Sequence, residues 1–218
     1  MSGKKNETLK ALDWRDRVDL AKNTNTTAKI LGILATDDGW LIRYMVAKNP
    51  NTLAEALDRL ATDEDWRVRV TVAENPSTPV ETLMKLAMDR VWCVREAVAE
   101  NPSTPYEFLD KLAGDYVWSV RRAVAGNPSA PGEALYRLAT DEDKNIRRAV
   151  AENPNVTENV LLRAHRDRST KVREAVARNP KIPPEAATSL SLSKVSQIRQ
   201  ALSENPAVPD YIRVGLSL

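Results

Sequence analysis

Residues 63–87 read DEDWRVRVTVAENPSTPVETLMKLA, two short apolar patterns separated by an Asn-Pro dipeptide. Both patterns place apolar or small residues at positions i, i+3 and i+4: Val68, Thr71 and Val72, then Leu83, Leu86 and Ala87. This spacing is typical of one buried face of an α-helix. The stretch therefore predicts two amphipathic helices, named here helix B (before Asn-Pro) and helix A (after it).

The ends of both helices are marked in the sequence. Proline disfavours α geometry in the residue before it, so Asn75 is expected to end helix B. The acidic run before Trp66 suits a helix N-terminus. Thr78, Pro79 and Glu81 predict an N-cap, a first helical residue and a capping box for helix A.

The same pattern recurs along the chain. The Asn-Pro marker returns every 26 residues, at Asn49, Asn75, Asn101, Asn127, Asn153, Asn179 and Asn205, and Asn23 occupies the same position before Thr24. An arginine stands six residues before each marker: Arg17, Arg43, Arg69, Arg95, Arg121, Arg147, Arg173 and Arg199. Agreement at independent positions indicates a structural repeat.

The repeat predicts the fold class: an all-α, right-handed α-solenoid of about eight two-helix repeats of 26 residues. We expect residues 1–218 to form a single repeat domain. Residues 1–23 are predicted to be an N-terminal half-repeat cap, residues 24–205 seven full repeats, and residues 206–218 a C-terminal capping helix.

Composition excludes several classes of function. The formal net charge is +2, which gives no global attraction to nucleic acid or anionic membranes. Cys93 and His165 are the only cysteine and histidine, so a disulfide framework and most metal sites are excluded. No stretch approaches the length of a membrane span or has a signal-peptide core. These features predict a cytoplasmic monomer without metal or cofactor.

The repeated string Leu-Ala-x-Asp-x-x-Trp-x-Val-Arg-x-Ala-Val-Ala-x-Asn-Pro-x-Thr-Pro resembles the leucine-rich repeat variant family over roughly residues 14–210. That family is a bacterial α-solenoid similar to HEAT repeats, with a usual repeat somewhat shorter than this one. The resemblance implies a fold rather than an activity. Some members carry an iron–sulfur centre on an N-terminal cysteine cluster, and this chain has no such cysteines.

The arginine column has two interpretations. Eight guanidiniums in a line could bind phosphates or carboxylates. Alternatively, each arginine pairs with the aspartate six residues earlier, or with that of a neighbouring repeat, because a buried arginine needs a carboxylate partner. Recurrence in every repeat favours this structural ladder, whose members are Asp37 and Arg43, Asp63 and Arg69, Asp89 and Arg95, Asp115 and Arg121, Asp141 and Arg147, and Asp167 and Arg173.

The tryptophan column also has two interpretations. All five tryptophans stand nine residues before a marker, and Lys144, Thr170 and Ser196 follow at that position. At 100° per residue, Trp66 falls about 160° from the core direction, on one face with Arg69 and Ala73. The indoles either contact a partner or pack on the ladder with a cation–π contact to the arginine three residues later. Because the column stops after Trp118, the partner interpretation stays open.

The candidate partner-binding residues follow from this face of helix B, where the neighbouring positions vary from apolar to basic. They are Trp14, Trp40, Trp66, Trp92, Trp118, Tyr44, Arg122 and Arg148. A solvated, non-binding face is the alternative. On helix A, the basic column Arg59, Lys85, Lys111, Arg137 and Arg163 is expected to pair with the glutamate four residues earlier where one is present. We interpret His165 as a local irregularity.

These patterns predict a non-enzymatic scaffold that binds a protein or peptide along a concave helix-B surface. The alternative is a HEAT-like nucleic-acid-binding protein, related to DNA repair. The unrepeated residues contain no convergent acid–base pair or phosphate-binding loop, so no catalytic residue is predicted.

Overall fold

The computed structural model describes Leu9 and residues 11–216. Within these residues it contains sixteen α-helices and no strand: α1 Trp14–Lys22, α2 Ala28–Leu34, α3 Trp40–Lys48, α4 Ala54–Leu60, α5 Trp66–Glu74, α6 Val80–Leu86, α7 Trp92–Glu100, α8 Tyr106–Leu112, α9 Trp118–Gly126, α10 Gly132–Leu138, α11 Lys144–Glu152, α12 Glu158–Ala164, α13 Thr170–Arg178, α14 Pro184–Ser191, α15 Ser196–Glu204 and α16 Asp210–Leu216. Odd-numbered helices are helices B and even-numbered ones are helices A. The predicted all-α class and its two-helix repeat are confirmed.

The chain divides into two compact units, one ending at Phe108 and the other beginning at Leu109. Of the predicted caps, residues 1–8, 10, 217 and 218 lie outside the described residues. The single-domain assignment stays a prediction. In the part of the chain that the structure describes, no helix is both long and apolar enough to cross a bilayer.

Each repeat buries the apolar face that its spacing predicts. In the repeat around α4 and α5, Leu57 and Leu60 of helix A and Val68 and Val72 of helix B are at most 1% exposed. Full burial of such a side chain contributes about 1.5–3 kcal/mol. Helices of seven and nine residues are marginal alone. The shared apolar layer therefore stabilises each of them.

The start of helix A differs from the capping-box prediction, which is wrong for Thr78. Helix α6 begins at Val80 with Pro79 as its N-cap, and no side chain caps it. The hydroxyl of Thr78 instead donates to the carbonyl of Val72, 2.5 Å away. Carbonyls in the last turn of helix B lack intrahelical donors, and Pro76 has no N–H to offer. The threonine side chain therefore caps the C-terminus of helix B instead of the N-terminus of helix A.

The marker asparagines join successive repeats. Asn75 donates from Nδ2 to the carbonyl of Ala47 at 2.6 Å and to that of Asn49 at 3.3 Å. Its Oδ1 accepts from the N–H of Ser77 at 2.8 Å. The bond to the carbonyl 28 residues earlier recurs from Asn49, Asn101, Asn153, Asn179 and Asn205. The side chain thus completes the C-terminus of the preceding helix B.

Candidate binding surface

The ladder arginines bind carboxylates of the following repeat. Arg43 donates from Nε and Nη2 to both carboxylate oxygens of Asp63, at 2.5 and 2.9 Å. From Nη1 it donates to the backbone carbonyl of Asp37 at 2.8 Å. The aspartate six residues earlier therefore supplies a carbonyl and not a carboxylate.

Pairing with a carboxylate of the following repeat recurs within both units. Carboxylate pairs join Arg17 with Asp37, Arg43 with Asp63, Arg69 with Asp89, Arg121 with Asp141 and Arg147 with Asp167. Of the two pairings that the sequence left open, the one with the neighbouring repeat is therefore formed by Arg43, Arg69, Arg121 and Arg147. Pairing with the next repeat is favoured because the Nε and Nη2 donors of one guanidinium can then bind both oxygens of one carboxylate.

Three aspartates of these pairs have a pKa below the usual range: Asp89, Asp141 and Asp167. Burial raises the pKa of Asp89, but hydrogen bonds from Arg69 and from the N–H of Val91 outweigh burial and hold that pKa below its usual range. The pKa values of Asp141 and Asp167 are lowered in the same way, because hydrogen bonds outweigh the effect of burial. The guanidiniums of these pairs are compensated in place, so these five arginines are not free cations for a ligand.

The ladder loses its carboxylate near the C-terminus. Ser193 stands where the aspartate partner of Arg173 would be. Arg173 donates from Nη1 to the carbonyl of Asp167 at 2.6 Å and from Nη2 to the hydroxyl of Thr170 at 3.3 Å. Arg199 keeps the backbone contact, donating to the carbonyl of Ser193 at 2.7 Å.

The five indoles lie at the surface. Their exposed fractions range from 38% for Trp40 to 50% for Trp14 and Trp118. The outward direction that the helical wheel gives to Trp66 agrees with its 44% exposure. Arg69 and Ala73 share that face of the wheel but are buried, at 6% and 0% exposed, because the next helix B packs against them.

An open apolar groove lies between α3 and α5. It has a volume of about 330 Å³ and is lined by Trp40, Leu41, Tyr44, Trp66, Arg67, Val70, Thr71 and Glu74. The rings of Trp40 and Tyr44 meet edge to face, with centroids 6.3 Å apart. We name this feature the aromatic groove.

Arg67 fixes one wall of the aromatic groove. Its guanidinium carbon lies 3.6 Å from the centroid of the Trp40 ring, and its Nη2 lies 2.5 Å from Oδ2 of Asp65. The expected contact from the arginine three residues after Trp40 is wrong, because Arg43 is held by Asp63. The sequence places Arg67 directly after Trp66, but it does not predict the contact of Arg67 with Trp40 of the preceding repeat.

The other candidate residues are more dispersed. Arg15 lies 4.9 Å from the ring of Trp14, and Arg122 lies 6.0 Å from the ring of Trp118. Arg148 is bound by Glu152 of its own helix at 2.7 Å. The structure therefore brings Trp40, Tyr44 and Trp66 together, and it places Arg122 and Arg148 in the second unit.

On helix A, two of the basic residues have partners other than the expected glutamates. Lys85 binds Asp58 at 2.6 Å, and Arg137 binds Asp110 at 2.9 Å. Both aspartates lie 27 residues earlier, on helix A of the preceding repeat. Neighbouring helices A stand side by side, which places this aspartate nearer than the glutamate one turn away.

Groups for catalysis or metal binding are sparse. Leu9 and residues 11–216 contain no group of three His, Cys, Asp or Glu side chains arranged to hold a metal ion. Burial raises the pKa of the Cys93 thiol, which favours the unreactive protonated form.

The stacked two-helix repeats and their inter-repeat ladders define the class as an α-helical repeat protein of the solenoid type. The family model described as leucine rich repeat variant matches residues 66–91 and 118–143. A solved structure described as a leucine-rich repeat variant with a novel repetitive structural motif is similar over 90% of this chain and 86% of that chain, at 25% identity and a TM-score of 0.63. The resemblance to the leucine-rich repeat variant family is therefore confirmed, in two matched repeats and in the fold.

Two further structures are similar at lower scores. The X-ray structure of YibA from Escherichia coli covers 91% of this chain and 85% of that chain, at 15% identity and a TM-score of 0.42. An engineered protein covers 100% of this chain and 79% of that chain, at 18% identity and a TM-score of 0.44. No curated protein sequence matches the chain.

Proposed function

We propose that the protein is a non-enzymatic, monomeric scaffold that binds an apolar segment of a protein or peptide in the aromatic groove. The observation that carries the proposal is the cluster of Trp40, Tyr44 and Trp66 around one open groove. Tyrosine and tryptophan supply much of the binding energy at protein interfaces, because they bury large area with little loss of conformational entropy.

The groove is organised before any partner arrives. The stacking of Arg67 on Trp40 and the edge contact with Tyr44 restrict both rings. A preorganised site loses less entropy on binding than a mobile one. The ladder supports this arrangement from below, since Arg43 and Asp63 fix the two helices that carry the groove.

The test is a selection from a random peptide library against the full chain, followed by calorimetry with the selected peptides. Substituting both Trp66→Ala and Tyr44→Ala is expected to weaken binding by about a hundredfold, the loss of two aromatic contacts. Tyr211→Ala, at a 71% exposed tyrosine of α16, is the control and should leave affinity within about twofold. Equal binding by all variants, with helicity intact, would contradict the proposal.

Nucleic acid binding is the alternative outcome on the same surface, since bases also stack on exposed indoles. We disfavour it because five ladder arginines already hold carboxylates. A single-stranded oligonucleotide should bind weakly at low salt. Strong binding that falls steeply with salt concentration would favour this alternative over a peptide.

A further inference from the structure

In one repeat of the second unit, the turn between helix A and helix B carries more basic residues than the same turn in the other repeats of that unit. The turn after α12 contains His165, Arg166 and Arg168, and Arg163 lies in the last turn of α12. The three arginines line a cleft of about 380 Å³ together with residues 139–142 of the turn after α10. We name it the arginine cleft.

Arg163 lacks the aspartate partner that two of its equivalents have. Lys85 and Arg137 each bind an aspartate 27 residues earlier, Asp58 and Asp110. The residue 27 positions before Arg163 is Tyr136, whose ring lies 6.0 Å from the guanidinium carbon. A carboxylate is thus replaced by a neutral ring, and the charge of Arg163 is left uncompensated at this contact.

Arg168 differs in charge from its equivalent in the preceding repeat, Glu142. Four repeats earlier the equivalent residue is Glu64, which lies 3.6 Å from the ladder residue Arg43. In the arginine cleft the ladder residue is Arg147, and Arg168 reaches across the cleft to the carbonyl of Glu142, 3.5 Å away. A basic residue therefore stands here where the preceding repeat has an acidic one.

Arg166 is held in place by a buried histidine. His165 is 7% exposed, and its Nδ1 lies 2.6 Å from the carbonyl of Leu162. A carbonyl can only accept, so Nδ1 carries the proton and Nε2 is free to accept. Nε2 accepts from Nε of Arg166 at 3.2 Å. His165 is thus a positioning residue for this guanidinium.

The three guanidiniums share one property. Among the described residues, none of Arg163, Arg166 and Arg168 forms an ion pair with a carboxylate. The charge of Arg147, which also lines the cleft, is compensated by Asp167, with Nε and Oδ2 2.7 Å apart. We propose that the arginine cleft binds a phosphate group carried by a peptide segment, a phosphorylated side chain.

The grouping of three arginines without carboxylate ion pairs in one repeat favours a single phosphate over a nucleic acid backbone. In the preceding repeat the equivalents of Arg163, Arg166 and Arg168 are Arg137, which is paired, Thr140 and Glu142. A phosphorylated side chain presents about two negative charges and three acceptor oxygens to clustered arginines. A polynucleotide would require basic groups across several repeats.

The first test follows the arginine Nε–H resonances of the full chain by NMR during titration with inorganic phosphate, against sodium chloride at equal ionic strength. The resonances of Arg163, Arg166 and Arg168 should shift and saturate, while Arg137, paired with Asp110, should not. Arg166→Gln should weaken phosphate binding by about tenfold. Linear, equal shifts of all arginines would overturn the proposal.

The second test restores the missing carboxylate. Tyr136→Asp gives Arg163 the partner that Asp110 gives Arg137 and should weaken phosphate binding severalfold while removing no arginine. Tyr211→Asp makes the same charge change at another exposed tyrosine and should have little effect. Equal weakening by both variants would show a net-charge effect only and would overturn the site.

The third test identifies the carrier. A phosphoserine peptide should compete with phosphate and bind more tightly than its unphosphorylated form, and Trp66→Ala should leave phosphate binding unchanged. This last result separates the arginine cleft from the aromatic groove, so either can fail alone. Tighter binding by a single-stranded oligonucleotide than by the phosphopeptide would overturn the peptide assignment.

Discussion

The marker asparagine shows how single residues hold the repeats in register. Asn75 is 4% exposed and uses its whole amide, donating to two carbonyls of the preceding repeat and accepting from Ser77. A buried polar group without such partners is costly. The residue therefore specifies where one repeat meets the next.

Replacement of Asn75 by alanine is expected to lower the free energy of unfolding by about 2–4 kcal/mol, because buried carbonyls lose their donor. Urea denaturation followed by circular dichroism measures this change. Asn145→Ala, at an exposed position of α11, should stay within about 0.5 kcal/mol of the wild type. Equal effects of the two substitutions would contradict the role given to Asn75.

The ladder pair of Arg69 and Asp89 should respond more strongly than a surface pair. Both side chains are at most 10% exposed, and Asp89→Asn removes the compensating charge of Arg69. We expect a loss of about 3–5 kcal/mol. Glu152→Gln, which breaks the exposed pair with Arg148, should cost about 0–1 kcal/mol in the same denaturation experiment.

At the scale of the element, short helices make backbone propensity matter. Helix α2 has seven residues and contains Gly32, around which a Cβ would meet nothing within 4 Å. Gly39 is the N-cap of α3, and a Cβ there would lie 3.3 Å from Oδ1 of Asp37 and from Cδ1 of Ile42. The two glycines therefore differ in the space around them.

We predict opposite signs for alanine at these positions. Gly32→Ala should raise the free energy of unfolding by about 0.5–1 kcal/mol, since alanine loses less backbone entropy in a helix. Gly39→Ala should lower it, because the new methyl group crowds Asp37 and alanine is a poor N-cap. Thermal denaturation of both variants would decide, and a stabilising Gly39→Ala would contradict the steric argument.

At the scale of the molecule, the ladders couple stability to pH. The pKa values of Asp89, Asp141 and Asp167 are lowered in the folded state. A depressed carboxyl pKa contributes stability above the pKa of the unfolded chain, and that stability is lost as the pH falls through the folded pKa.

The free energy of unfolding should therefore fall as the pH drops below about 4, the ordinary pKa of aspartate. Denaturant titrations between pH 7 and pH 2 measure this slope. The triple variant with asparagine at the three positions should be less stable at pH 7 and show a shallower slope. An unchanged slope would show that these carboxyls do not control acid unfolding.

The sequence predicts the repeat and both helices because burial imposes the same spacing on every unit, as Val68 and Val72 illustrate. It does not predict bonds between repeats, since periodicity gives the position of Arg43 but not the choice between Asp37 and Asp63. The hydroxyl of Thr78 and the amide of Asn75 were likewise assigned by local rules and are used over longer distances.

The candidate site divides in the same way. The exposure of Trp66 agrees with its angle on the helix, whereas the burial of Arg69 on the same face depends on the next repeat. The aromatic groove depends on which repeat contacts which, and Arg67 reaches back to Trp40 for that reason. The significance of His165 also required the orientation of its ring, which a sequence does not contain.

The bonds between repeats span fixed intervals, 20 residues for the arginines and 28 for the asparagines. Each joins the same two positions of the 26-residue pattern, so removing or duplicating one whole period among the repeats that keep both positions replaces each lost partner by its counterpart. A single-residue insertion in a helix would misalign both sets together. The chain length can thus change by complete periods with these bonds kept, whereas any other change in length would break them.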